Sequence, residues 1–378
     1  MSVEIHGTCD PRFEGVRAAF ADNFARGADV GASFAATVNG EFVVDLWGGF
    51  ADPARTRPWE KDTLVNVYST TKTMTALTAL LLADRGELDF HAPVARYWPE
   101  FAANGKSAVT VAQLMAHSSG LSGWKEPLAK ADLYDWDKVT TLLAAQAPFW
   151  EPGTAPGYHA LTQGYLVGEV VRRITGRSLG TVFREEIAGP LGADFHIGLP
   201  ASEDARVAEL IPPPPGGAIG DGPMSELTAN MANNPGIDVH ETRTRAWRAA
   251  EIPAAGGQGN ARSIARVHSI LANGGEVDGR RYLSEAGCRR ALELQVEGHD
   301  LVLNIPARFG LGFGLAGGAL PLPNDSTIYW GGYGGSLAII DMQNRAAFGY
   351  AMNRMESTTT GDLRAASLAM AAWAALAG

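Results

Sequence analysis

The sequence predicts an α/β protein of the α+β type, in which helices flank one antiparallel sheet and an all-helical subdomain is inserted into it. Strand-like runs lie near both ends of the chain, over 31–47 and 310–352. Asn39-Gly40 joins the first two runs, and this dipeptide is a strong hairpin signal. The stretch 92–193 has mainly helical spacing. We therefore expect residues 1–91 and 194–378 to form the sheet domain, and 92–193 the helical subdomain.

The individual elements follow from hydrophobic spacing and from Gly and Pro breakers. Phe13, Val16, Phe20 and Phe24 recur at helical intervals and predict a first helix over 11–27. Further helices are predicted from Ser69 to about Gly86 and over 109–117, 136–145, 161–175, 179–187, 260–272 and 362–376. Strands are predicted over 31–38, 42–47, 310–315, 336–341 and 346–352.

One segment fits neither pattern. Residues 212–223 begin Pro212-Pro213-Pro214-Pro215-Gly216-Gly217 and are too rich in Pro and Gly for regular structure. They are interpreted as a surface loop, either a plain connector or the rim of a pocket.

Composition narrows the function. The 378 residues include 46% hydrophobic and 19% charged residues, which is typical of a globular protein of one large domain or two that share a core. A net charge of −10 argues against nucleic acid and anionic membranes as partners.

Cys9 and Cys288 lie far apart in the sequence and do not have the spacing of metal ligands. The N-terminus lacks the basic and apolar regions of a secretory signal, so a cytoplasmic location is expected.

The most informative motif is Ser69-Thr70-Thr71-Lys72, at the head of an apolar helical run. Residues three apart on a helix share a face, so Lys72 is expected beside the Ser69 hydroxyl. Burial favours the neutral form of an amine, and a neutral amine can take the proton of a serine nucleophile. Ser122-Gly123-Trp124-Lys125 has the same spacing. It lies in a Gly-interrupted loop, where nothing holds the two side chains together, and we interpret it as accidental.

Such a pair needs a proton shuttle and two N–H donors for an oxyanion. Tyr158 follows a Pro- and Gly-rich turn and is the candidate shuttle, although an ordinary packed tyrosine is the alternative. Trp330-Gly331-Gly332-Tyr333-Gly334-Gly335-Ser336 is expected to open a strand, and the backbone N–H of Tyr333 can pair with that of Ser69. A plain Gly-rich turn is the other possibility. His117 and His159 are tempting bases, but a structural role is favoured for both.

No other catalytic signature occurs in the context that it requires. The single G-x-S-x-G match, Gly176-Arg177-Ser178-Leu179-Gly180, falls between two predicted helices and not between a strand and a helix, which argues against the nucleophile elbow of an α/β-hydrolase. There is no H-E-x-x-H, no C-x-x-C and no Walker loop, so the sequence implies neither a metal nor a nucleotide cofactor.

The ordered set of motifs resembles the serine β-lactamase-like superfamily, and more closely the family VIII carboxylesterases, which are related to class C β-lactamases and DD-peptidases. The matching motifs are Ser69-x-x-Lys72, Leu114-x-x-His117-Ser118-Ser119-Gly120-Leu121, Tyr158-His159-Ala160 and Trp330-Gly331-Gly332. The resemblance implies a serine β-lactamase-like fold with its active site between the two domains. It also implies acylation of Ser69, assistance by Lys72 and Tyr158, and an oxyanion hole at Ser69 and Tyr333. Trp124 would then lie on the pocket wall.

Two departures from the family pattern bear on the substrate. Trp330-Gly331-Gly332 stands where penicillin-recognising enzymes carry Lys-Thr-Gly, and no lysine follows Lys138. Ala160 stands where the family has an asparagine that binds an acylamido group. Both changes remove polar contacts to a peptide-like substrate, and a site without them discriminates poorly for it.

The sequence therefore predicts a serine carboxylesterase that acts on short-chain acyl esters, with a small-molecule substrate and no cofactor. A β-lactam or amide hydrolase is the alternative within the superfamily, with Arg308 as a possible substitute cation. A catalytically inactive binding protein on the same fold is the alternative from another class. The physiological ester, the stereochemical preference and the oligomeric state do not follow from the sequence.

Overall fold

The computed structural model describes residues 3–214 and 224–378. Most of the predicted loop 212–223 lies outside the described residues, so its interpretation stays a prediction.

A nine-stranded antiparallel sheet runs through the molecule in the order β1-β3-β2-β13-β12-β11-β10-β9-β8. Its strands are β1 (Ile5–Cys9), β2 (Gly31–Val38), β3 (Glu41–Gly49), β8 (Val296–His299), β9 (Pro306–Phe309), β10 (Gly314–Leu315), β11 (Thr327–Gly331), β12 (Leu337–Asp341) and β13 (Ala346–Met352). Two small pairs are formed by β4 (Val65–Asn66) with β5 (Gln258–Gly259), and by β6 (Glu276–Val277) with β7 (Arg280–Arg281).

The helices occupy the rest of the regular structure. They are α1 (Glu14–Ala25), α2 (Thr71–Asp84), α3 (Val111–Met115), α4 (Trp136–Ala145), α5 (Thr162–Thr175), α6 (Leu179–Phe183), α7 (Gly189–Leu191), α8 (Glu226–Asn233), α9 (Arg245–Ala249), α10 (Ala261–Ala272), α11 (Glu285–Arg289) and α12 (Leu363–Ala377). A π-helical turn, Arg184–Ala188, joins α6 to α7.

The N-terminal and C-terminal strands belong to one sheet because they pair with each other. Asn39 and Gly40 both have positive φ, at 52° and 86°, which is the backbone that a tight hairpin between β2 and β3 requires. β13 then pairs antiparallel with β2, with Phe348 opposite Ala36 and Met352 opposite Ala32. The predicted fold class is therefore confirmed.

Adjacent residues of β13 show how helices cover both faces of the sheet. The Phe348 ring packs against Trp373 of α12 with ring centroids 5.7 Å apart. The next residue, Gly349, faces α10, and a Cβ there would lie 2.4 Å from the Ala261 carbonyl oxygen. Because side chains alternate along a strand, one strand contacts both helical layers. A small residue at Gly349 lets α10 approach the sheet closely.

α2 lies in the centre of the molecule. Every residue from Thr71 to Leu82 is buried, which explains why the helix carries apolar residues and threonines on all sides. Residues 92–193 are all described and contribute no strand to the sheet. The exact division at 92 and 193 stays a prediction.

Several elements differ from the sequence predictions. β1, β8, β9 and β11 were not expected, because strands of four or five residues give little periodic signal. The run Trp330–Ser336 was expected to open a strand, and its last residue does directly precede β12. Trp330 and Gly331 end β11, and Gly332 begins the turn that leads to β12.

Candidate active site

Ser69 lies in a 3-10 turn, Tyr68–Thr70, immediately before α2. Tyr68 has a φ of 43°, and positive values are strained for a bulky residue. Two contacts hold the turn in place. The Ser336 hydroxyl donates a 2.8 Å hydrogen bond to the Val67 carbonyl oxygen, and it lies 2.9 Å from the Thr70 hydroxyl. The strained turn before Ser69 is thus tied to the residue that precedes β12.

Two glycines of the Trp330-Gly331-Gly332 motif allow this close approach. A Cβ on Gly332 would lie 2.2 Å from both the Ser336 hydroxyl and the Val67 carbonyl oxygen. A Cβ on Gly331 would lie 2.6 Å from the backbone of Thr360. Gly332 therefore lets the turn after β11 lie directly against the nucleophile turn, and Gly331 lets the end of β11 lie against Thr360.

Lys72 is fully buried, and its amine contacts three oxygen atoms. Nζ lies 2.7 Å from the Ala160 carbonyl oxygen, 3.0 Å from the Ala254 carbonyl oxygen and 3.3 Å from Ser69 Oγ. No acidic side chain within the described ranges forms an ion pair with it. Burial holds the pKa of Lys72 well below its ordinary value. A neutral amine has two N–H groups for the two carbonyls, and its lone pair then faces Ser69.

Tyr158 approaches the nucleophile from another side. Its hydroxyl donates a 2.5 Å hydrogen bond to Ser69 Oγ, and Lys72 Nζ lies 4.9 Å from the centroid of its ring. Burial raises the pKa of Tyr158 to about 12, so the phenol keeps its proton at neutral pH. The structure thus brings Ser69, Lys72 and Tyr158 together around one oxygen atom.

Three consecutive backbone amides around Tyr158 are fixed by hydrogen bonds. The N–H of Gly157 donates to the His117 carbonyl oxygen at 2.9 Å. The N–H of Tyr158 donates to Asp300 Oδ1 at 3.1 Å, and that of His159 donates to His117 Nδ1 at 3.1 Å. The Tyr158 hydroxyl is consequently held by the backbone as well as by its own contacts.

The same contacts fix the two histidines as neutral groups. His117 Nδ1 accepts a hydrogen bond, so its proton is on Nε2. His159 Nε2 accepts the N–H of Leu121 at 3.3 Å, which leaves its proton on Nδ1, 2.5 Å from the Gly157 carbonyl oxygen. Burial lowers the pKa of His159 to about 3 and also lowers that of His117. Both histidines hold the Tyr158 loop and are unsuited to act as bases.

The two expected oxyanion donors are the backbone N–H groups of Ser69 and Tyr333. Ser69 lies in the turn to which the Ser336 hydroxyl is bonded, and Tyr333 lies in the turn that leads to Ser336. Among the residues that the structure describes, the backbone N–H groups of Ser69 and Tyr333 donate to no protein atom, whereas the neighbouring N–H groups of Gly332 and Gly334 are both bonded. The Tyr333 ring packs on Tyr68 with ring centroids 5.5 Å apart. Two unused donors near a nucleophile are what an oxyanion hole requires.

Trp330 is buried among aromatic groups. Its ring stacks on His117 with centroids 5.1 Å apart and planes 19° apart, and it lies 6.1 Å from the Tyr158 ring and 5.4 Å from the Phe309 ring. Trp330 and Gly331 line a small cavity together with Tyr158. The surface beside the candidate nucleophile is therefore apolar on this side.

Two expectations about pocket residues are not met. Trp124 does not line this cavity, because its side chain is buried in the interior, where Nε1 donates to the Val139 carbonyl oxygen and the ring packs on Tyr165. Arg308 does not supply a cation to the cavity. Its guanidinium forms a 2.9 Å ion pair with Glu297 on the adjacent strand.

Sequence reasoning missed three contributors. Ala160 and Ala254 act through carbonyl oxygens, which no side-chain pattern reveals, although the run Pro253-Ala254-Ala255-Gly256-Gly257 suggests close backbone packing. Asp300 Oδ1 accepts the N–H groups of Tyr158, Val302 and Leu303, and the other oxygen of its carboxylate has no hydrogen-bond partner in the part of the chain that the structure describes. An isolated aspartate far along the chain carries no motif that would identify it.

No group of His, Cys, Asp or Glu within 3–214 and 224–378 is arranged to hold a metal ion. Cys9 and Cys288 are both free thiols. None of the described helices has both the length and the hydropathy needed to cross a bilayer.

The fold and the comparisons with known proteins together define a serine hydrolase of the β-lactamase type. The Beta-lactamase family model matches residues 16–372, and the chain belongs to this family. An esterase/β-lactamase of Mycobacterium tuberculosis, LipL, is 38% identical over 367 residues, which cover 93% of this chain and 84% of the relative.

Solved structures agree with this assignment. The crystal structure of a family VIII carboxylesterase is 49% identical, with a TM-score of 0.94 over 98% of this chain and 100% of that chain. A penicillin-binding protein homologue from Caulobacter crescentus is 40% identical, with a TM-score of 0.92 and the same coverage of both chains. EstA from Arthrobacter nitroguajacolicus Rue61a is 32% identical, with a TM-score of 0.88 over 98% of each chain. The predicted family is confirmed.

Proposed function

We propose that this protein is a carboxylesterase that hydrolyses short-chain acyl esters through an acyl-enzyme on Ser69. The observation that carries the proposal is the arrangement around Ser69 Oγ, with the buried Lys72 amine at 3.3 Å and the Tyr158 hydroxyl at 2.5 Å. The Lys72 amine can remove the serine proton, and the Tyr158 hydroxyl can supply a proton to the leaving oxygen.

Acylation begins with Lys72. Its neutral amine takes the proton of Ser69 as Oγ forms a bond to the ester carbonyl carbon. The carbonyl oxygen becomes an oxyanion, which the N–H groups of Ser69 and Tyr333 stabilise. The Lys72 ammonium that forms keeps its hydrogen bonds to the carbonyls of Ala160 and Ala254.

The intermediate then collapses with help from Tyr158. The bond between the carbonyl carbon and the leaving oxygen breaks, and the Tyr158 hydroxyl donates its proton to that oxygen. The proton on Lys72 restores the phenol, so no net charge remains on the pair. Water then repeats the sequence on the acyl-enzyme, which releases the carboxylic acid and regenerates Ser69.

The surroundings of the site support an ester rather than a β-lactam. β-Lactams carry a carboxylate, and no charged side chain lines the cavity beside Tyr158 and Trp330. Arg308 is engaged with Glu297, and the position of the family asparagine is Ala160, which contributes only its carbonyl oxygen to Lys72. An alkoxide also leaves more readily than an amine. Two of the proteins described above are named as an esterase and a carboxylesterase, which agrees with this choice.

A second candidate is β-lactam hydrolysis, because the Mycobacterium relative is named both esterase and β-lactamase. The test is a paired kinetic comparison of p-nitrophenyl butyrate, nitrocefin and a penicillin. We expect kcat/KM for the ester to exceed that for the penicillin by about 100-fold or more, since a charge-assisted hydrogen bond to the substrate carboxylate is missing. Comparable values would favour the β-lactamase, and no turnover of any substrate would favour a binding protein.

A further inference from the structure

A small apolar cavity lies next to the candidate catalytic groups. Its volume is about 30 Å³, and one wall is formed by Tyr158, Trp330 and Gly331. The remaining lining residues are Leu303, Ile305, Pro306, Ala307, Phe309, Ala319, Tyr329, Thr359 and Thr360. None of these carries a charge, so the cavity suits an uncharged hydrocarbon group.

The position of Tyr158 decides which end of an ester would face this cavity. In the mechanism above, the Tyr158 hydroxyl protonates the leaving oxygen, so that oxygen must lie within hydrogen-bond distance of it. The carbonyl oxygen of the ester accepts the N–H groups of Ser69 and Tyr333, which lie outside the Tyr158 loop. The first carbon of the alcohol is bonded to the leaving oxygen and is therefore on the Tyr158 side of the scissile bond.

We propose that this cavity binds the alcohol part of the ester and that Leu303 limits the length of the alcohol. The proposal rests on the proposed esterase function and assigns one end of its substrate. It predicts that the alcohol and acyl ends are selected by different surfaces. The alcohols accommodated are short, uncharged alkyl alcohols.

The dimensions set the expected length. A water-sized group needs about 10–15 Å³ of such volume, so the cavity admits roughly two such groups. A methyl or ethyl group fits, and a longer chain contacts the side chains that close the cavity. Leu303 is half-buried on a turn whose backbone is held by Asp300, through the N–H groups of Val302 and Leu303. Truncation of the Leu303 side chain therefore enlarges the cavity without removing those hydrogen bonds.

Kinetic measurements distinguish a residue that contacts the alcohol part of the ester from one that contacts the acyl part. The alcohol has left before the acyl-enzyme is hydrolysed, so a residue that contacts only the alcohol affects acylation and leaves deacylation unchanged. A residue that contacts the acyl group affects both steps. Esters that share one acyl group pass through the same acyl-enzyme, which provides an internal reference.

The experiment uses ethyl, butyl and hexyl butyrate with wild-type protein, Leu303→Ala and Ala307→Val. Leu301→Ala is the matched control, because Leu301 lies on the same turn, is exposed and does not line the cavity. The decay of the butyryl adduct on Ser69 is followed by intact-mass spectrometry of acid-quenched samples after mixing with p-nitrophenyl butyrate. A p-nitrophenyl acyl series from acetate to hexanoate measures acyl preference in the same variants.

We expect Leu303→Ala to raise the ratio of kcat/KM for hexyl to ethyl butyrate by roughly tenfold, since each newly buried methylene contributes about fourfold. Ala307→Val should lower kcat/KM for all three alkyl esters, and Leu301→Ala should match the wild type. The decay of the butyryl adduct and the acyl preference should not change. An unchanged alcohol ratio in Leu303→Ala, altered adduct decay or a shift in acyl preference would overturn the assignment. Failure of wild-type protein to hydrolyse any of these esters, or hydrolysis that persists in Ser69→Ala, would instead refute the esterase proposal itself.

Discussion

The carboxylate of Asp300 accepts the backbone N–H of Tyr158 at 3.1 Å, across 142 residues of sequence. The same oxygen accepts the N–H groups of Val302 and Leu303, on the turn that borders the cavity. Asp300 is completely buried, and burial raises its pKa, although the three N–H groups oppose that effect. One side chain therefore holds both the backbone of Tyr158 and a wall of the cavity beside it.

The first prediction concerns this positioning role. Asp300→Ala removes the acceptor of the Tyr158 N–H, and we expect kcat for p-nitrophenyl butyrate to fall on the order of 10- to 100-fold, the scale of a misplaced catalytic group. KM should change little. Asp300→Asn keeps an oxygen acceptor and should recover most of the lost kcat. If Asp300→Asn were as slow as Asp300→Ala, the hydrogen bond would not be the property that matters.

Ser69→Ala should abolish ester hydrolysis, because no other described serine combines a lysine amine and a tyrosine hydroxyl at its oxygen. The matched control is Ser122→Ala, since Ser122 also precedes a lysine by three positions but its hydroxyl contacts neither group. A fluorophosphonate probe followed by peptide mass spectrometry should label Ser69. Labelling of Ser122, or loss of activity in Ser122→Ala alone, would contradict the assignment.

Lys72 and Tyr158 should act as one unit with Ser69. Lys72→Ala and Tyr158→Phe should each lower kcat by about 10²-fold or more, and the double variant should lose less than the product of the two. The pKa of Lys72 is lowered by burial, so wild-type activity should fall only as the pH drops through that lowered value and protonates the amine. This acidic limb should disappear in Lys72→Ala.

His159→Ala is the control for the proton path. Burial lowers the pKa of His159 to about 3, and both ring nitrogens are hydrogen-bonded to backbone groups, so its loss should lower kcat much less than Tyr158→Phe does. Equal losses in the two variants would mean that the histidine takes part in proton transfer.

Gly332→Ala tests the oxyanion hole. Its Cβ would lie 2.2 Å from the Val67 carbonyl oxygen and from the Ser336 hydroxyl, so the backbone that carries the Tyr333 N–H must move. Loss of one oxyanion donor typically costs about 10²- to 10³-fold in kcat. Gly15→Ala, at an exposed position of α1 where a Cβ would meet nothing, is the control and should leave kcat unchanged. A fully active Gly332→Ala would place the oxyanion donors elsewhere.

His268 provides a prediction about stability. It is fully buried in α10, and burial lowers its pKa to about 4, below the value of about 6.5 in an unfolded chain. The unfolded state therefore binds one more proton between these values, and stability is lost as the pH falls from 6.5 towards 4. This histidine contributes about 1.4 kcal/mol per pH unit to that slope.

The measurement is urea unfolding of wild type and His268→Gln at several pH values between 7 and 4.5. The quantity compared is the slope of the unfolding free energy against pH, so a difference in stability between the two proteins at pH 7 does not affect the comparison. We expect the slope to be smaller by about one proton in His268→Gln. Identical slopes would show that folding does not lower the pKa of His268.

Local patterns predicted much of the fold but not the short strands. The hairpin at Asn39-Gly40 and the helices α4, α5 and α10 follow from residues that are neighbours in the chain, so their spacing is visible in the sequence. β11 was missed although it carries Trp330. Its five residues are buried on both faces and show no alternation, and they run directly into the Gly-rich turn, whereas the equally short β12 was predicted from its apolar run Leu337-Ala338-Ile339-Ile340.

Local patterns likewise predicted some residues of the candidate site and failed to predict the surroundings of others. Ser69 and Lys72 were found because an i,i+3 pair at a helix start is a local feature, and Tyr158 and Gly331-Gly332 were found through motif order. Trp124 was misplaced because position in a motif does not determine the direction of a side chain. Its indole turns into the interior, where its N–H bonds to a carbonyl of α4.

By itself, the sequence determined the fold class, the family and the pair Ser69–Lys72, since all three depend on residue identity and short-range spacing. Only the tertiary structure decided what surrounds that pair. The carbonyls of Ala160 and Ala254, the carboxylate of Asp300 and the ring of His117 come from segments far apart in the chain. A backbone carbonyl has no sequence signature, and burial, which sets the pKa values of Lys72 and Tyr158, arises only when the chain is packed.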